Sequence, residues 1–192
     1  MNNPKTINKE LKDILAKYKD SYKSICETSR AEYMQTLPAG AEIPKEGVIY
    51  GDKYKAAFES KCLEYKNDIR KIMNDTINDL KAKATEAPST EAVNAITLLN
   101  MRKNVTKTEI DDMLNRYGDN VQAWRTIVSI ANDNDLHDFR QCEVDAQFEQ
   151  VEGLSRSLEN SISANKASQG YAGAGFMSLI EAQIDGTFPA EV

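Results

Sequence analysis

Two stretches of this chain carry the same apolar spacing in opposite directions. From Ile7, apolar or small side chains follow at Leu11, Ile14, Tyr18, Tyr22, Ile25, Ser29 and Tyr33, at intervals of 4, 3, 4, 4, 3, 4 and 4. Read backward from Leu80, the positions Thr76, Met73, Ile69, Tyr65, Cys62, Phe58 and Tyr54 repeat those intervals. Spacing of this kind lays one stripe along one face of a helix. Between the two stretches, residues 37–52 ("LPAGAEIPKEGVIYGD") carry Pro38, Pro44, Gly40, Gly47 and Gly51, which stop a helix from either side.

The pattern predicts a long antiparallel helical hairpin over residues 1–86, folded about positions 43 and 44, with arms of about 45 Å at 1.5 Å per residue. Layers equidistant from the bend are expected to meet: Ile7 with Leu80, Ile14 with Met73, Tyr18 with Ile69, Tyr22 with Tyr65 and Tyr33 with Tyr54. A 4-3-4 repeat gives about 3.67 residues per turn, so the pair is expected to run nearly straight or slightly right-handed. Burial along one stripe is thin, and packing against a further partner is expected. The Lys and Glu residues between stripe positions read as a solvated face. Cys26 lies beside the layer of Ile25 and Cys62, and two small buried thiols are expected there rather than a redox pair.

Residues 87–132 predict a compact three-helix unit. Pro88 ends the hairpin, and Ser89 or Thr90 caps a helix that buries Ala92, Val93, Ile96, Leu99 and Met101. Thr106 and Glu109 form a capping box ahead of Ile110, Met113, Leu114 and Tyr117, and Gly118 suits a left-handed C′ position. Asp119 is expected to cap a third helix with Trp124, Ile127, Val128 and Ile130 inside. The fold class is therefore all-α. Aromatic residues make up only 7% of the chain, which favours helix packing over one large core.

The segment Ile130–Asp138, "IANDNDLHD", holds the only histidine, His137, among Asp133, Asp135 and Asp138. A calcium-binding loop counted from Asp133 would put His137 at position 5, Asp138 at 6 and Val144 at 12, so the glycine and the glutamate of such a loop are both missing. Helix termination needs less: Asn132–Asp135 can stop one helix and Asp138 can cap the next. No metal site is expected. Cys26, Cys62 and Cys142 have no zinc-type spacing, no nucleophile and base can be paired, and no cofactor or catalytic residue is expected.

Residues 133–192 read as an acidic helix and a glycine-rich docking tail. Val144, Phe148, Val151, Leu154, Leu158 and Ile162 form a narrow stripe weakened by Gly153. Gly170, Gly173 and Gly175 lack the Lys-Ser/Thr and strand context of a nucleotide loop. A short helix is expected near Phe176–Ile184, on a segment that reads either as a flexible tail or as a docking arm that orders on a neighbouring subunit. Phe176, Leu179, Ile180 and Phe188, with Ile49 and Tyr50 of the bend, are the candidate partner contacts.

Charge excludes some classes. Residues 1–83 hold 16 Lys and Arg against 13 Asp and Glu, while residues 84–192 hold 8 against 17. An acidic half of this kind is a poor phosphate-binding face. A helix-turn-helix over residues 106–131 would offer a recognition helix with Arg125 as its single basic residue, too little for a DNA reader. No nucleic acid is expected as a partner. No apolar run approaches the roughly 20 residues of a bilayer span, and the N-terminus lacks the apolar core of a signal peptide. The expectation is a protein made in a reducing cytoplasm, with no membrane contact.

The order of parts resembles a known family. A long Lys/Glu-rich hairpin, then "EAPSTEAV", "LLNMR" and "YGDN", is similar to small helical proteins encoded among the head and structural genes of tailed phages and prophages of Gram-positive bacteria. The resemblance covers roughly residues 5–135 and carries no catalytic residue. It implies a non-enzymatic virion structural protein, capsid-associated as a decoration or minor head component. Its partners would be the major capsid protein, copies of itself, or both. An internal scaffolding protein of the procapsid is the alternative, and a DNA-binding regulator on residues 106–131 the second.

Overall fold

The computed structural model describes residues 3–162 and 174–190. Among the described residues the chain is all-helical, with no strand. The elements are α1 (Pro4–Gln35), α2 (Asp52–Ala84), α3 (Thr90–Asn100), α4 (Lys107–Tyr117), α5 (Val121–Asp133), α6 (Glu143–Ser161) and α7 (Ala174–Thr187). They form two compact units, residues 1–75 with 151–192, and residues 76–150. The sequence divides differently, at 86 and 132. Residues 133–150 belong with the middle helices, whereas Val151, Leu154, Leu158 and Ile162 are buried in the first unit.

In the first unit, α1 starts at Asn3, whose side chain accepts from the Lys5 amide at 3.0 Å, with Pro4 opening the helix. Its first half buries Ile7, Asn8, Leu11, Ile14, Leu15 and Tyr18, which is two adjacent rows rather than one stripe. Farther along, Tyr22, Cys26 and Ser29 are buried, whereas Ile25 is only half-buried. The expected stripe thus turns by one position after Tyr22, toward the loop that folds over that side.

On α2, Phe58, Cys62, Tyr65, Ile69 and Met73 are buried, and so is Leu80 beyond the boundary of the unit. Contacts between α1 and α2 join the end of one to the start of the other: Lys53 Nζ lies 2.6 Å from Glu32, and Tyr54 donates to the same carboxylate. Tyr54 and Glu32, and Tyr65 and Ser21, lie one position from equidistant pairs, whereas Phe58 reaches farther back along α1. Phe58 sits between Tyr18 and Tyr22, with ring centroids 5.7 and 5.5 Å away. Tyr65 meets the edge of Tyr18 at 6.4 Å, shares a 2.6 Å hydrogen bond with Ser21 and donates to the Lys17 carbonyl at 3.3 Å. Rings of this size interleave between successive turns, so Phe58 is shared by two layers of α1. Likewise Tyr33 is 41% exposed and stacks on Tyr50 at 4.7 Å, not on the half-buried Tyr54.

The second unit is built around α3, α4 and α5. Its core holds Ile96, Leu99, Val105, Ile110, Leu114, Ala123, Ile127, Ile130 and Ala131, with Met113, Tyr117, Trp124, Val128, Leu136 and Phe139 partly buried against it. Ser89 caps α3, and Thr106 with Glu109 forms the reciprocal capping box of α4. Two expectations fail locally. Gly118 has φ −70°, so it is not left-handed; a Cβ there would instead run into the Leu114 carbonyl, to which its own amide donates. The cap of α5 is Asn120, whose side chain accepts from Ala123 at 2.9 Å, rather than Asp119.

Candidate functional site

The bend between α1 and α2 displays side chains on a fixed loop. Gly40, Gly47 and Gly51 all have positive φ (87°, 69° and 81°), the region that L side chains avoid. Arg30 donates to the Pro44 carbonyl at 2.9 Å and pairs with Glu46 at 3.2 Å. The Tyr50 amide donates to Ser29 Oγ at 3.1 Å, and the Tyr22 hydroxyl donates to the Gly47 carbonyl. Between loop and helix lies a groove of about 430 Å³ lined by Tyr22, Cys26, Arg30, Ala31, Met34 and Gly47. Ile49 is buried under the loop, so it is not available as the partner contact that the sequence predicts; Tyr50 is half-buried in its stack on Tyr33. The apolar side chains presented outward are instead Met34, 46% exposed, and Ile43, 69% exposed.

The C-terminal segment is seated within its own chain. Met177, Ile180, Ile184 and Phe188 are buried in the first unit, and polar contacts tie α7 to α1. Asn8 Nδ2 donates to Asp185 at 2.8 Å and to the Phe188 carbonyl at 2.6 Å. Lys12 pairs with Asp185 at 2.6 Å and Lys19 with Glu181 at 2.7 Å. Hydrogen bonds from Asn8 and then Lys12 hold the Asp185 carboxyl below its usual range. Ile180 and Phe188 therefore serve an internal seat, a correction to their expected role as partner contacts; Leu179 is exposed. The side chain of Phe176, with Gly170 and Gly173, lies outside the described residues. The sequence reading missed Asn8 and Leu15, which form the second row on α1. The signal was present in Leu15, an apolar residue one position off the stripe.

"IANDNDLHD" ends a helix. The Leu136 amide donates to the Ala131 carbonyl at 3.0 Å and the Asp135 amide to Asn132 at 3.1 Å, with Asp135 left-handed at φ 59°. This is a Schellman motif with aspartate in the place glycine usually takes. His137 is exposed and lies 3.3 Å from the Asn132 side chain. Among the described residues no group of three or more His, Cys, Asp or Glu could hold a metal ion. Asp138 does not cap the next helix as expected. It too has positive φ (68°), and α6 begins only at Glu143, its first turn closed from Ala146 to the Cys142 carbonyl at 2.9 Å.

The three cysteines are free and buried. Burial pushes the Cys62 thiol up to about 11 and raises Cys26 as well, so both are held as unreactive thiols. Arg125, the single basic residue of α5, donates to Asp145 at 2.8 Å. No described helix is long and apolar enough to cross a membrane. No family model matches the chain, and neither does any curated protein or solved structure.

Proposed function

We propose that this chain is a non-enzymatic structural protein of a tailed-phage particle, a capsid-associated decoration or minor head component that works through protein–protein contacts. The observation that carries the contact role is the bend between α1 and α2, where Met34 stands exposed at the end of α1 and Ile43 on a loop pinned by Arg30, Ser29 and Tyr22. Large apolar side chains on a fixed backbone favour docking, because little ordering entropy is lost when a partner covers them. The engagement of Arg125 by Asp145 makes α5 a poor DNA reader and favours protein partners. The virion assignment rests on the sequence resemblance over residues 5–135, and the partners it implies are the major capsid protein and copies of this chain.

Mass spectrometry of purified particles tests the reading. The chain is expected in mature, filled heads at many copies. Presence in procapsids with absence from filled heads would replace the decoration role with internal scaffolding, and absence from both would overturn a virion role.

A further inference from the structure

The bend between α1 and α2 carries both halves of a contact. Its groove has buried Tyr22 and Cys26 at the base, exposed Ala31 and Met34 along one wall, and Lys23 and Glu27 one helical turn apart on the rim. Ile43 projects from the same loop, 69% exposed. It is kept out of its own groove, because Arg30 on the groove wall holds the carbonyl of the next residue, Pro44, at 2.9 Å. Knob and groove share an edge, and within one chain the knob does not fill the groove.

The charges beside the two halves identify the occupant. Glu42 precedes the knob and Lys45 follows it by two positions, while Lys23 and Glu27 flank the groove. All four side chains are exposed, and none makes a hydrogen bond or ion pair among the described residues. Their signs match in pairs: a knob that enters with Glu42 beside Lys23 also brings Lys45 to Glu27. We infer that the groove of the bend takes Ile43 of a second copy of this chain, the two copies exchanging knobs about a two-fold axis along the shared edge. A patch that is complementary to itself in this way closes as a dimer.

The inference rests on the contact role proposed for the bend and names the partner there. One knob and its rim bury less than the roughly 1,600 Å² of a standard interface, so the dimer is weak and concentration-dependent. It is tested on the full chain by sedimentation equilibrium from micromolar to millimolar concentration. The expected mass rises from 21.5 kDa toward twice that value.

Ile43→Asp is expected to weaken association at least about tenfold with helicity unchanged, as loss of an apolar anchor should. Ala31→Trp, which fills the groove, is expected to do the same. Mixing the two variants restores association part way, because the intact knob of one still finds the intact groove of the other. Lys23→Glu weakens the dimer, and adding Glu42→Lys strengthens it again. A chain that stays monomeric to millimolar concentration, a dimer indifferent to Ile43→Asp, or a mixture no tighter than its components overturns the inference. The monomeric result leaves the virion reading standing with another protein at the bend, whereas absence from particles leaves a dimer in solution untouched.

Discussion

The side-chain amide of Asn8 donates a 2.6 Å hydrogen bond to the backbone carbonyl of Phe188, at the far end of the chain. Asn8 is buried, and its second amide hydrogen reaches Asp185 at 2.8 Å. One residue of the first helical turns thus holds the end of the last helix. Asn8→Ala removes both donors and leaves the Phe188 carbonyl without its side-chain partner. The expected loss is about 1–3 kcal/mol, the usual cost of an unsatisfied buried polar group. Denaturant unfolding measures it, and proteolysis is expected to release α7 first. A variant as stable as the parent would show that α7 is held by its apolar residues alone.

Asp185 gives the same seat a pH dependence. Its folded pKa lies below the ordinary carboxylate value because Asn8 and Lys12 bind the ionised form. A depressed acid contributes stability that is complete above its unfolded pKa, about 3.9 for aspartate, and lost as pH falls through the folded value. The attachment of α7 is therefore expected to be constant near neutrality and to weaken below about pH 4. Amide exchange of α7 across an acid titration reads this, and Asp185→Asn should flatten the dependence.

Cys62 has the opposite sign. Burial raises its thiol from 9.0 to about 11, so the folded state retains the proton longer than the unfolded chain. That contribution is present below pH 9.0 and disappears as pH rises through about 11. Alkylation of Cys62 at pH 8 is expected to follow unfolding rather than exposed-thiol kinetics. Rapid labelling of the native chain would contradict its place in the core.

The interleaved rings predict unequal sensitivity along the helices. Phe58 is fully buried between Tyr18 and Tyr22, so Phe58→Ala is expected to cost about 3–5 kcal/mol. Ile25→Ala should cost well under half of that, because its side chain is half-exposed where Cys26 turns inward. Equal losses at the two positions in thermal or denaturant unfolding would put Ile25 back in the buried stripe that the spacing alone predicts.

Asp135→Gly is expected to stabilise the second unit. A left-handed L residue costs roughly 1–2 kcal/mol, and the greater entropy of an unfolded glycine offsets about half of it. A net gain of about 0.5–1 kcal/mol should appear in the unfolding midpoint, with the Schellman hydrogen bonds retained.

Which residues form helices was legible in the sequence, because that question is local. Spacing of three and four placed Leu11, Tyr18, Phe58 and Ile69 inward. Pro38 and Gly40 bounded α1, and Thr106 with Glu109 wrote the start of α4 in side chains that satisfy their own neighbours. Where each apolar row was answered was not legible. Ile180 and Phe188 look the same on a tail seeking another subunit as on one returning to Asn8 and Leu15. Val93 and Met101 look the same inside a core as on the exposed side of α3, where the fold turns them. Periodicity fixes the direction of a side chain from its own helix axis. Its partner depends on contacts between residues distant in the chain, where Phe58 enters between Tyr18 and Tyr22 and buried hydrogen bonds seat α7, and those belong to the tertiary structure alone.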